Sequence, residues 1–197
     1  EMLRKELKSL EKSGNVLKQK DITDFYNQGI AITKELDAAF DSYFGEGFKF
    51  IKAEETLMEK VGEFSEADYK FKGYIDLIIQ TADGKYHVID YKSCSWGWDA
   101  KKRSSRMITY QLTLYKHYWA QKMGVDPSMV ETHFALLKRT QKLGQKVEIF
   151  RVTSGSRKTQ NALNLLKKAL YNIHTKNHLK NRLSCGRCEF NKTQHCP

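Results

Sequence analysis

Apolar positions along this chain follow two periods, and the change from one to the other outlines the fold. Residues 1–20 are charged and helix-prone, with Leu3, Leu7, Leu10 and Leu17 as the apolar positions and a break at Gly14-Asn15. From Ile22 to Phe44 the positions Phe25, Ile30, Ile32, Leu36, Phe40 and Phe44 recur at helical spacing, and Gly45-Glu46-Gly47 closes the run. This predicts an amphipathic packing helix. Phe48–Val61 then reads as a first strand. Two further runs, Tyr74–Ile79 and Tyr86–Tyr91, are rich in β-branched and aromatic residues and flank Thr81-Ala82-Asp83-Gly84-Lys85, where Asp-Gly supplies the turn of a hairpin. Met107–Met123 returns to helical spacing and ends at Gly124-Val125-Asp126-Pro127. Glu131–Arg139 and Lys146–Val152 pair as a second hairpin around Leu143-Gly144-Gln145, and Ser154–Lys176 forms a long basic helix.

Composition narrows the class. At 197 residues, 40% hydrophobic and 12% aromatic, the chain builds one domain with a sizeable core, plus at most a small appendage. The formal charge of +11 favours a polyanionic partner, nucleic acid first and an anionic membrane surface second. No apolar run approaches the ~18 residues a membrane span needs. Four cysteines are present, and three of them (Cys185, Cys188 and Cys196) fall in the last dozen residues. That distribution, with no export signal, points to metal ligation in a reducing compartment such as the cytoplasm rather than to a disulfide framework.

The strands carry the unusual chemistry. Each strand of the first hairpin is interrupted by one aspartate, Asp76 and Asp90, and Lys92 follows Asp90 at the spacing that shares a strand face. A carboxylate on a buried strand is costly unless its charge is compensated. Asp76 and Asp90 can supply hard oxygen ligands for Mg²⁺ or Mn²⁺, with the Tyr91 carbonyl as a backbone ligand and Lys92 to orient a water and offset charge on a phosphate. Glu54 or Glu55, on the preceding strand, is a weaker candidate ligand. Gln111 and Tyr115 lie four apart on one face of the following helix. Between hairpin and helix, Trp96, Trp98, Lys101, Lys102, Arg103 and Arg106 interleave rings and cations, which suits a nucleic-acid strand because bases stack on rings while cations meet phosphates.

Taken together, GYID, IDYKS and QLTLY resemble the PD-(D/E)XK nuclease superfamily, in particular its RecB-type branch, over roughly residues 48–120 and the tail. The resemblance implies an α/β fold with a central mixed β-sheet flanked by helices, a restriction-endonuclease-like core, and divalent-metal cleavage of DNA. Asp76 matches the motif's first aspartate, Asp90 and Lys92 its acidic residue and lysine, and Gln111 and Tyr115 a helix pair beside the site. Family members often carry a metal-binding histidine on the helix before the first strand. Here that helix holds Gly29-Ile30-Ala31-Ile32-Thr33 instead, so the third ligand falls to Glu54, Glu55 or a water.

The tail, CGRCEFNKTQHCP, is similar to that of the iron–sulfur nucleases of the same branch, in which such cysteines join one distant cysteine around a 4Fe–4S cluster. Cys94 is the one other cysteine of this chain. The alternatives are Zn²⁺ with His195 as fourth ligand, or free thiols. The expected organisation is an N-terminal helical part over 1–47, a nuclease core over 48–180 and a cysteine-rich metal-binding tail over 181–197. Three functions stay open at this stage: a DNA nuclease, in the manner of an exonuclease; a non-cleaving nucleic-acid-binding module with a structural zinc tail; and a subunit that clamps a helicase or recombination partner.

Overall fold

The computed structural model describes residues 8, 9, 12, 18–62, 69–177, 179, 182–194 and 196. Leu3, Leu7, Leu10, Leu17 and His195 lie outside these residues. The first described helix, α1 (Gln19–Phe44), starts three residues earlier than the apolar spacing indicates. It buries Ile32 and Phe40, with Leu36 and Phe44 packed beside them at helical spacing. Gly45 ends it at φ 83°, a conformation that favours glycine, with its N–H on the Asp41 carbonyl.

Five strands follow: β1 (Lys49–Lys60), β2 (Lys70–Gln80), β3 (Tyr86–Cys94), β4 (Val130–Lys138) and β5 (Val147–Val152). They lie side by side in chain order as one sheet. Three of the pairings are antiparallel and β3–β4 is parallel, so the sheet is mixed, as the resemblance implied. A parallel pair needs a crossover. Here it runs through a short helix α2 (Ala100–Ser104) and then α3 (Arg106–Met123). Asp99 marks the start of α2 by accepting a bond from the Lys102 N–H.

Helices cover both faces of the sheet. On one, Phe40 of α1 packs with Leu77, Ile79, Ile89 and Ala135, bordered by Phe48, Tyr91 and Ile149. On the other, Trp119 of α3 meets Tyr86 at 5.1 Å and Tyr118 stacks on Phe71 at 4.4 Å between centroids. Fully buried aliphatic side chains such as Ile75, Ile78, Ile89 and Leu136 each stabilise the fold by about 1.5–3 kcal/mol relative to exposure. Glu35 of α1 accepts bonds from the backbone N–H groups of Gly144 and Lys146, fastening the β4–β5 hairpin to the helix.

One irregularity positions the chemistry. Leu77 and Ile79 face α1, yet Phe71 and Gly73, also odd-numbered positions of β2, touch side chains of α3. Strict alternation cannot hold through both halves of the strand. The pleat therefore inverts near Asp76. On the neighbouring strand, Glu54 sits at the opposed position with φ 52°, a left-handed conformation uncommon for a side-chain-bearing residue. Beyond this point the β2–β3 ladder stops, its last pair being Leu77 with Ile89.

The chain divides into two compact units, Glu1–Gly155 and Ser156–Pro197. The second holds α4 (Ser156–His174) and a 3₁₀ segment, Arg182–Arg187, followed by turns. The long basic helix and the tail fall together in this second unit. Among the described residues, no helix is long and apolar enough to cross a membrane.

Candidate active site

Where the β2–β3 ladder stops, a side chain takes over from the backbone. Asp76 accepts a hydrogen bond from the Tyr91 N–H at 2.7 Å, which ties the diverging strands together through a carboxylate. The neighbouring Asp90 is 2% exposed, and Lys92, one strand period further on the same face, brings its ammonium to 2.6 Å from Asp90 Oδ2. Burial pushes the Asp90 carboxyl above the usual carboxylate range; Lys92 opposes the shift, and the charge of Asp76 adds to it. Asp76 and Asp90 are thus near enough to repel, with one ammonium between them and neutrality. Apart from that ion pair, Oδ2 has no directed hydrogen bond among the described residues. A buried acceptor in this condition is suited to a cation.

The Tyr91 side chain lies on the other face, 6.4 Å from the ring of Phe40, with its hydroxyl pushed up to about 12 by burial and by the charges of Asp76 and Asp37. Glu55 is engaged elsewhere: Lys122 of α3 reaches its Oε1 at 2.6 Å and also donates to the Thr56 carbonyl. Glu54 is exposed. Among the described residues, no third carboxylate joins Asp76 and Asp90 in a converging ligand group.

On α3, Gln111 donates from Nε2 to the Tyr115 hydroxyl at 3.0 Å. Tyr115 is itself buried, its ring lying where a Cβ on Gly73 would come to 2.7 Å. Gly73 precedes Asp76 by three residues on β2, about 10 Å of strand. The glycine thus lets the tyrosine seat beside the strand that carries Asp76, and the tyrosine in turn holds the half-buried Gln111. Sequence spacing had paired Gln111 with Tyr115; the structure adds that Tyr115 supports Gln111 from below.

The loop after β3 separates into two kinds of residue. Trp98 is 8% exposed, its ring 5.1 Å from Phe134 and 6.2 Å from Phe150, so it fills the core rather than offering a stacking surface. Arg103 is also occupied, donating to the Trp98 carbonyl and to Glu148. Trp96, by contrast, is 69% exposed. Lys101, Lys102 and Arg106 are exposed on α2 and the first turn of α3. Lys102 sits 4.6 Å above the Trp98 ring, a cation–π contact at the surface.

In the second unit, the Cys188 N–H bonds to the Cys185 carbonyl, Thr193 and Cys196 form an isolated bridge, and the Lys192 N–H donates to the Cys196 carbonyl. These turns do not bring the Sγ atoms of Cys185, Cys188 and Cys196 together as a ligand group. Among the described residues, the one group of three metal-ligating side chains with converging atoms lies elsewhere, at His87, Glu131 and His133. Sequence reasoning did not single these out. Two histidines in strands otherwise buried and apolar were the available signal, but they meet only through the parallel β3–β4 register, in which His87 opposes Glu131 and Ile89 opposes His133.

No curated protein matches the chain. Among solved structures, one described as a "Putative exonuclease" from Eubacterium rectale superposes with a TM-score of 0.57 at 15% identity, covering 100% of this chain and 72% of that one. The protein SSO0001 gives a TM-score of 0.49 at 17% identity, covering 96% and 76%. Both are distant in sequence, and the first speaks to fold alone. The family model of the PD-(D/E)XK nuclease superfamily matches residues 4–196, and the chain belongs to that superfamily.

Proposed function

We propose that this protein hydrolyses phosphodiester bonds in DNA, as a RecB-type member of its superfamily with exonuclease activity. The observation that carries the reading is the meeting of Asp76, Asp90 and Lys92 at the point where the β2–β3 ladder ends. Two carboxylates with a backbone carbonyl at Tyr91 form a hard-oxygen donor set, which suits Mg²⁺ or Mn²⁺ better than a softer ion. Such an ion, when bound, supplies charge to the phosphate oxygens and acidity to a water.

The residues of the chain do the rest. Asp90 must be ionised to hold a cation, and Lys92 favours that state by standing 2.6 Å away. The same ammonium orients the attacking water and offsets the negative charge that builds on the phosphate. Gln111 presents a polar arm held by Tyr115. Trp96, Lys101, Lys102 and Arg106 give an exposed ring and three cations for stacking and phosphate contact. The net charge of +11 supports a polyanionic substrate.

For the tail we propose a metal-pinned staple with Cys185, Cys188 and Cys196 as ligands, a 4Fe–4S cluster ahead of Zn²⁺. Iron and sulfide analysis of anaerobically purified protein distinguishes the two; metal-free protein with three reactive thiols contradicts both. The nuclease reading is tested with labelled single- and double-stranded DNA, Mg²⁺, Mn²⁺ or chelator, and Asp90→Ala and Lys92→Ala. Metal-dependent cutting lost in both variants supports it. Unchanged DNA with undiminished binding favours a non-cleaving binding module instead.

A further inference from the structure

The buried hydrogen bonds at the beginning of β3 lead to a second cluster, on the α1 face of the sheet. Thr81 Oγ1 lies 2.5 Å from Asp83 Oδ1 and 2.9 Å from His87 Nε2, and His87 Nδ1 lies 3.0 Å from His133 Nε2. The direction of each bond follows from the acid at the end. Asp83, a carboxylate held below its ordinary range by the Thr81 hydroxyl, can only accept. Thr81 gives its one proton to Asp83, so it must accept from His87 Nε2–H. The neutral His87 then has a bare lone pair on Nδ1, which accepts from His133 Nε2–H. His133 is left with a bare Nδ1, and that atom is buried without a hydrogen-bond partner among the described residues. A cation between His87 Nδ1 and His133 Nε2 would take the place of the proton they share, which His133 Nδ1, having no other partner, is free to carry.

Glu131 adds another lone-pair donor. One ligand atom from each of His87, Glu131 and His133 can be chosen so that all lie within 4.8 Å of one another. The His87 Nδ1–His133 Nε2 separation of 3.0 Å is close to the roughly 3.3 Å between ligands 2.0–2.1 Å from a tetrahedral ion. A neutral imidazole can move its proton between nitrogens, so either ring nitrogen can turn to a cation. Lys85 and Arg151 both pair with Glu131 through Oε1, at 3.7 and 3.0 Å, and its second oxygen is the one available as ligand.

We propose that His87, Glu131 and His133 form a second divalent-metal site, separate from Asp76 and Asp90. Two imidazoles and a carboxylate select a borderline transition ion such as Zn²⁺ over Mg²⁺ or Ca²⁺. With three protein ligands the fourth position stays free. It faces a cavity of about 460 Å³ bordered by Tyr43, Lys85 and Arg151, large enough for water or a small anionic group. Behind the ligands, Thr81 and Asp83 fix the orientation of His87, the arrangement by which outer hydrogen bonds tune ligating histidines.

The test uses the full-length protein titrated with Co²⁺ under reducing conditions and followed by visible absorption. Wild type is expected to bind one equivalent that lacks thiolate charge-transfer absorption, which sets it apart from the cysteine tail, and that Zn²⁺ but not Mg²⁺ displaces. Asp90→Asn keeps this equivalent; Glu131→Gln and His87→Gln weaken it by at least about tenfold. Glu131→Gln is the decisive variant, because the half-buried side chain keeps its shape and the fold is not at risk. Wild type that binds no such equivalent, Glu131→Gln that binds it as tightly as wild type, or Asp90→Asn that abolishes it, overturns the inference.

Discussion

Strand β3 buries titratable groups at two places three residues apart, and it treats them in opposite ways. His87 faces α1 and joins His133 across the parallel pair; Asp90 faces α3 and meets Lys92. Burial acts on both regions in the same physical sense, against the charged form. It therefore raises the Asp90 carboxyl and depresses His133 to about 3. The responses differ. The histidines become neutral and share one hydrogen bond, with His133 Nδ1 left over, whereas Asp90 is given an ammonium that keeps its charge within reach. Burial by itself thus marks neither region as the reaction site. The proposed reaction site rests on the retained charge, because a carboxylate kept ionisable beside a lysine can hold a divalent cation and leave an ammonium for the phosphate.

The largest effect expected from this contrast is on stability in acid. His133 is neutral in the fold and titrates near 6.5 when unfolded, so the unfolded chain takes up its proton first as pH falls. In chelator-treated protein, stability is full above pH ~6.5 and declines toward pH 3, by an upper bound on the order of 4–5 kcal/mol. Urea melts across that range measure it, and His133→Gln flattens the slope. Equal slopes in both proteins would show that the histidine pair is not the buried neutral group described here.

Next in size is Gly73→Ala. The added methyl meets the Tyr115 ring, and since Tyr115 is packed under Gln111 the ring cannot retreat freely. Overpacking of this kind costs about 1–3 kcal/mol. Its effect on cleavage runs through Gln111, so kcat falls further than DNA affinity does. Comparison with Tyr115→Phe, which keeps the ring and removes the acceptor, separates the steric part from the polar one.

Asp90→Asn should move stability the other way. Replacing a buried carboxylate whose pKa is raised removes a charge that the fold disfavours, so the metal-free variant melts at or slightly above wild type at neutral pH. A variant that melts well below wild type would mean that Asp90 stabilises the fold rather than strains it. The smallest expected effect is a displaced pH profile. With Asp90 raised, the acid limb of wild-type cleavage lies above the ordinary carboxylate range, and in metal-free Lys92→Gln the Asp90 carboxyl itself, followed by NMR titration, moves higher because the opposing ammonium is gone. Activity rises with pH through that limb, since ionised Asp90 is the competent form.

How far the sequence foretold this arrangement depends on the range of each interaction. The first hairpin, the Asp90–Lys92 pairing and the Gln111–Tyr115 step are local: turn chemistry and a period of two or four place them. Trp98 shows where local reasoning stops. Its neighbours are cationic and polar, yet the ring is captured by Phe134 and Phe150 from strands that come later in the chain. The inverted pleat at Asp76 is likewise invisible to a period-two reading; it coincides with the left-handed Glu54 on the partner strand. His87 and His133 are 46 residues apart, and only a parallel register joins them. The fold class was legible because it rests on alternation, caps and a motif; the second cluster was not, because it rests on register.

The central claim is that the Asp76–Asp90–Lys92 region, and not the histidine cluster on the opposite face, performs the hydrolysis. Metal-dependent cleavage of labelled DNA by wild type, Asp90→Asn and Lys92→Gln, each verified as folded, tests it most directly. The account predicts that both variants lose cleavage by at least about a hundredfold while DNA binding persists. Cleavage that survives in both, or that is lost in Glu131→Gln while Asp90→Asn cuts normally, would contradict it.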